Sequence, residues 1–259
     1  MTSPPAMALS TRARWALVVS ALVTIALYVI PNGHYIAYPL LLISTLVHEL
    51  GHGVAAMLMG GHFDKFLMNA DGSGVALSWG VSAGAPQAFV AAGGLCGPAV
   101  AAALMIGAAS RPKWARYVLG AFGAFLALAV ILVVRNGFGI GFTSILAALC
   151  LLIAIKGSAA WAQNTLLFLA VQLALSVYSR GDYLFMKEAQ TLQGVMPSDS
   201  QAMALAMDLG SYWFWGLMCA LFSVVMLAAG AYTFWRGTHS GPIVRRPVPG
   251  GTKLSPRHP

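Results

Sequence analysis

Charge is what this sequence has least of. Only 8% of its 259 residues are Asp, Glu, Lys or Arg, against about 25% in soluble proteins. That scarcity leaves no stretch from which a large soluble domain could be built. Acidic residues number seven, against fifteen Lys and Arg. The basic residues are dispersed and no soluble module gathers them, which excludes nucleic-acid binding. They read instead as membrane-flanking residues that face anionic headgroups. Cysteine is confined to Cys96, Cys150 and Cys219. All three fall in apolar runs, far apart and without metal-site spacing, so they read as small buried residues.

What fills the chain is apolar. Hydrophobic residues make up 59% of it and mean hydropathy is +0.77. Runs long enough to cross a bilayer are read at about 15–30, 35–59, 85–109, 117–134, 138–155, 161–179 and 211–235. The first follows a basic start, as a signal peptide would. No small-x-small cleavage site follows and another span comes at once, so it is read as a retained helix. Between the second and third spans, Asn69-Ala70-Asp71-Gly72 separates two short apolar pieces, the pattern of a turn between strands. The expected fold is an all-α polytopic membrane protein of about six to seven transmembrane helices, with a short β-hairpin-like insertion after the second. Residues 1–235 form the membrane domain. The Pro-, Gly- and Arg-rich tail at 236–259 is expected to be disordered.

One span carries groups that do not belong in hydrocarbon. His48-Glu49-Leu50-Gly51-His52 lies within the apolar run Leu41–Met59. Histidines at i and i+4 share one helix face and can reach a single metal ion, with the adjacent glutamate as general base. Ionisable groups are costly at membrane depth, so their presence marks function. A hydrolytic zinc site needs a third protein ligand, and this helix does not supply it. The remaining histidines are His34, His62, His239 and His258, and the remaining carboxylates are Asp64, Asp71, Asp182, Glu188, Asp199 and Asp208. Asp182 is the leading candidate, because apolar residues resume after it and the helix can continue at membrane depth. Asp199 is the runner-up. Its Pro-Ser-Asp-Ser setting reads as a helix N-cap. Asp208 comes third.

These residues resemble a known family. His-Glu-x-x-His in a second span, then Gly60-Gly61, Asp71-Gly72-Ser73-Gly74, a Gly/Ala-rich span and a late Ser198-Asp199 are similar to the M50B-like membrane metallopeptidases, relatives of the site-2 proteases. The resemblance runs from about Leu41 to about Trp215 and implies a zinc-dependent intramembrane endopeptidase. His48 and His52 would bind Zn2+ and Glu49 would be the catalytic base. The partners implied are a membrane-protein substrate and the lipid bilayer, in an integral multi-pass location. The chain departs from the site-2 pattern in having no Leu-Asp-Gly motif, so the third ligand does not transfer, and it has no room for an inserted regulatory domain. The rival reading is a non-catalytic multi-pass membrane protein that retains a structural zinc site. A metal transporter would spread acidic and histidine residues over several spans, whereas here they cluster on one.

Overall fold

The computed structural model describes residues 6–179, 184–191 and 194–239. The elements run α1 (Ala6–Val29), α2 (Gly33–Leu58), β1 (His62–Met68), β2 (Gly74–Trp79), α3 (Ala85–Ala108), α4 (Pro112–Leu132), α5 (Gly137–Lys156), α6 (Ala159–Ser179), β3 (Glu188–Thr191), β4 (Gly194–Pro197), α7 (Asp199–Met207) and α8 (Tyr212–His239). Among the described residues, six helices have the length and apolarity to cross a membrane: α2 to α6 and α8. The helical architecture and the hairpin after the second helix agree with the sequence expectation.

Element boundaries differ where local chemistry overrides hydropathy. The basic stretch at 111–116, expected as a loop, is the first turn of α4. Pro112 opens that helix, where its fixed φ and missing N–H cost nothing. A second hairpin, β3 with β4, lies in the polar stretch before the last helix and was not expected. α8 continues to His239, past the expected boundary at 235, and the remainder of the tail lies outside the described residues.

Burial sorts the helices. In α2 67% of the best apolar window is buried, against 22% in α8, so α2 is central and α8 peripheral. Outward positions carry Trp15, Ile131, Ile155 and Val225, as expected when the solvent is lipid. Inward positions on α3 are mostly small. Ala99, Ala102 and Ala103 of α3 are buried, and Gly230 of α8 lies so close that a Cβ there would come 2.7 Å from Ala103 Cα. Without a hydrophobic force between lipid-embedded helices, such close packing is what holds them together.

The first hairpin is bound into the bundle on several sides. β1 and β2 pair antiparallel from His62↔Trp79 to Met68↔Gly74. The turn between them holds Asp71, whose Oδ1 accepts from Ser73 N at 2.8 Å and Ser73 Oγ at 2.6 Å. Those bonds keep the Asp71 carboxyl below its ordinary pKa. Gly72, at φ 89°, occupies the left-handed position that the turn requires. The tip is held to α2 by Thr45 Oγ1 donating to Gly72 O at 2.7 Å and Tyr38 OH to Ala70 O at 2.5 Å. The outer edge of β1 is covered by the α4–α5 connection. Phe66 N donates to Val133 O at 2.8 Å and Arg135 N to Phe66 O at 3.1 Å. Asn136 completes that edge, since its Oδ1 accepts from Met68 N at 3.1 Å and its Nδ2 donates to Met68 O at 2.6 Å. Asn136→Ala strips both partners from one backbone unit. It is expected to cost about 2 kcal/mol or more, read as a lowered thermal midpoint of the detergent-solubilised protein. Asn136→Asp, which keeps the acceptor, should lose less.

Candidate metal centre

Helical periodicity brings His48 and His52 to one face of α2, with their ring centroids 4.8 Å apart. Their Nε2 atoms are 3.2 Å apart. His52 Nδ1 lies 2.8 Å from Val90 O of α3. In a neutral imidazole that contact puts the proton on Nδ1 and leaves the Nε2 lone pair facing His48, the orientation expected of a metal-ligating histidine. The ring can stand there because Gly94 of α3 has no side chain, since a Cβ at that position would overlap His52 Nε2. α2 and α3 also touch backbone to backbone, with Gly51 against the carbonyl of Gly93.

The third group is Asp199, the first residue of α7. Ser198, not Asp199, is the N-cap, and its side chain accepts from Gln201 N at 3.2 Å. Ser198 also ties the start of α7 to the preceding chain, with Ser198 N donating to Lys187 O at 3.1 Å and Ser198 Oγ to Met186 O at 2.5 Å. The capping duty that the sequence suggested for Asp199 is thus taken by its neighbour, and the Asp199 carboxylate turns toward α2. Oδ2 lies 3.1 Å from His48 Nε2 and Oδ1 lies 3.4 Å from His52 Nε2. Burial opposes charge on this carboxyl, but the two facing imidazoles outweigh it and hold its pKa well below the ordinary range. Asp182 lies outside the described residues.

This donor set fits a divalent cation. Among the described residues, His48, His52 and Asp199 are the one group of three such side chains with ligand atoms within 4.8 Å of one another. Their nearest separations of 3.1–3.4 Å match the roughly 3.3 Å between donors of a tetrahedral site with zinc–nitrogen and zinc–oxygen bonds of about 2.0–2.1 Å. Asp199 Oδ2 is buried with no hydrogen-bond donor aligned to it. Glu49 is also buried.

Glu49 points to the hairpin, and its Oε2 accepts from Ala76 N of β2 at 2.8 Å. Gly74 makes room for it, because a Cβ there would come 2.8 Å from Glu49 Cγ. The other carboxylates are elsewhere: Asp64 and Glu188 in strands, Asp71 in its turn, and Asp208 at the left-handed C-cap of α7. His62 stacks on Trp79, with centroids 4.1 Å apart. Sequence reasoning did not foresee the contributions of Val90 O, Ala76 N and Gly94. The Gly93-Gly94 pair was legible as a helix-packing signal, not as room for an imidazole.

The chain matches the family described as Peptidase M50B-like over residues 18–230, and it belongs to that family. The helices of membrane length and the grouping of His48, His52 and Asp199 agree with that membership. No curated protein and no solved structure gives a match.

The fit around His52 is testable through its glycine. Gly94→Ala should displace the imidazole and lower metal content at least tenfold, the scale seen when the support of a ligand is lost (about 10–100-fold). Gly97→Ala, whose Cβ would meet Gly51 Cα at an ordinary 3.4 Å, should retain metal. Metal analysis of both purified variants checks this.

Proposed function

We propose that this membrane peptidase is a zinc-dependent endopeptidase that cleaves peptide bonds in or near the membrane segments of other proteins. The observation that carries the reading is the convergence of His48, His52 and Asp199 beside the buried Glu49. Asp199 is preferred to Asp182 as third ligand because, among the described residues, it is the carboxylate within reach of both imidazoles. When bound by these three residues, zinc supplies Lewis acidity and acidifies water.

The protein's own groups divide the remaining work. Glu49 is the general base, taking a proton from water and returning it to the leaving amine. The hydrogen bond from Ala76 N fixes where the Glu49 carboxylate points. His52 is kept in one tautomer by Val90 O. A transmembrane substrate helix hides its carbonyls in hydrogen bonds, so the cleaved segment must be extended. The hairpin supplies a strand, β2, whose backbone lies against Glu49, and an extended segment can be held along it.

Glu49→Gln is expected to keep stoichiometric zinc and lose cleavage of a reconstituted membrane substrate by about a hundredfold or more. His52→Ala should lose zinc and cleavage together. Asp199→Asn should lower zinc content where Asp182→Asn does not. Full cleavage by Glu49→Gln would overturn the mechanism, and zinc retention without cleavage by the wild type would point to a structural metal site.

A further inference from the structure

Some 20 Å along α3 from Gly94, at thirteen residues of about 1.5 Å each, a second site opens where α3 ends, α4 begins and α8 ends. We propose that it holds one phospholipid with an anionic headgroup, its phosphate on Arg111 and Arg236 and its acyl chain between α3, α4 and α8. This goes beyond the peptidase reading and does not depend on it.

The polar end is a pocket of about 530 Å³ lined by Ser110, Arg111, Trp114, Thr233 and Arg236, among others. Glycines bring the helix ends together there. A Cβ on Gly107 would come 2.7 Å from Thr233 Oγ1, and one on Gly237 would come 2.5 Å from Ser110 Oγ. That approach sets the two arginines on one pocket. No carboxylate lines it. Among the described residues neither guanidinium is paired with an acid, although Arg236 lies over the Tyr232 ring at 5.7 Å. Two unneutralised arginines in a concave site call for an anion, and a guanidinium fork suits phosphate. Trp114 and Tyr232, both in the lining, are the aromatic types found at headgroup level.

The same three helices continue the site into apolar surroundings. A cavity of about 860 Å³ is lined by Leu104 and Met105 of α3, Val118 and Phe122 of α4, and Met218 and Phe222 of α8, and its deeper part also by α2 residues from Val47 to Leu58 and by Met203 of α7. Leu104 and Met105 precede Gly107 by less than a turn, and Val118 follows Trp114 by about one. Polar mouth and apolar channel therefore adjoin on two helices. Depth fits as well. One leaflet of a roughly 30 Å hydrocarbon core corresponds to about ten helical residues. Ten residues before Gly107 stands Gly97, which also lines the cavity. An acyl chain suits so apolar a channel, and a phospholipid joins such a chain to a phosphate.

The test uses the full chain in detergent, titrated with phosphatidylglycerol or phosphatidylcholine of the same acyl chains and read by native mass spectrometry. Phosphatidylglycerol should bind about tenfold more tightly, as expected for one charge-assisted contact or more. Arg111→Ala with Arg236→Ala should abolish that preference, while Arg111→Lys with Arg236→Lys should keep most of it and controls for folding. Ala121→Trp, which fills the apolar cavity from α4, should weaken both lipids. Equal binding of the two lipids, a preference that survives the double alanine variant, or an Ala121→Trp protein that binds like wild type would each overturn the proposal. So would displacement of the lipid by glycerol 3-phosphate at matching concentrations, which would reassign the pocket to a free phosphate ester.

Discussion

Everything at the metal centre depends on how closely α2 and α3 approach. The contact is made by glycine: Gly51 on one helix against the carbonyl of Gly93 on the other, with Gly94 leaving the space that His52 fills. A single methyl at any of these positions would push the helices apart or turn the imidazole. α3 also fixes that imidazole by accepting from its far side at Val90 O, and it provides the surface on which α7 packs through Met203 with Ala88, Ala91 and Leu95. One interhelical contact thus positions the two histidines and, through α7, the aspartate of the candidate metal centre. In lipid such a contact is a matter of van der Waals fit, so side-chain size matters more than polarity along α3. Pro98 within α3 adds a local consequence. It has no N–H to give the carbonyl of Gly94, so the residue that faces His52 lacks its usual backbone partner within a continuous helix.

The rest of the bundle follows from its solvent. Many large apolar side chains face outward, and several buried polar groups find partners inside. Gln172 donates to Thr24 Oγ1, tying α6 to α1, and Gln163 donates to Ala109 O at 2.6 Å, tying α6 to the end of α3. Arg116 reaches Gly157 O across the α4–α5 pair. These bonds replace contacts that water would otherwise make, and in a bilayer each unmet group would be expensive. They also bring basic ends together. Arg14 of α1 contacts His239 of α8 at 3.0 Å, near the pocket that holds Arg111 and Arg236.

Much of this was legible in the sequence because hydropathy and spacing are strong signals. The membrane character followed from the scarcity of charge, and the hairpin from Asp71-Gly72 between apolar pieces. The helix-borne histidine pair followed from i, i+4 spacing alone. What was not legible depended on tertiary contacts. The polar stretch after α6 offered four carboxylates, and local pattern ranked Asp182 ahead of Asp199 on hydropathy alone, without any sight of the histidines. Asp199 looked like a cap because Asp in Pro-Ser-Asp-Ser is a good cap, but serine is an equally good one. Ser198 takes that role because its hydroxyl also reaches Met186 O. One residue of register decides whether Asp199 serves its own helix or faces two histidines on another. β3 and β4 escaped notice for a related reason: strands of four residues each carry too little alternation to stand out.

The hairpin beside the site raises a constraint of its own. A two-stranded sheet has two open edges, and in a membrane protein open backbone edges must be satisfied from within. β1 solves this with Val133, Arg135 and Asn136. β2 faces the other way, and the partner of its Ala76 N–H is the Glu49 carboxylate. The same carboxylate therefore belongs both to the His-Glu-x-x-His helix and to the hydrogen bonding of the sheet edge. That double membership explains why Gly74 and Thr45 crowd Glu49 so tightly, since a Cβ on Gly74 would meet both at 2.8 Å. It also makes the position of Glu49 inseparable from the register of β2. A one-residue slip of that strand would turn the N–H away and leave a buried carboxylate without its donor. The tip contacts of Thr45 and Tyr38, made from the same helix that carries the histidines, hold that register in place.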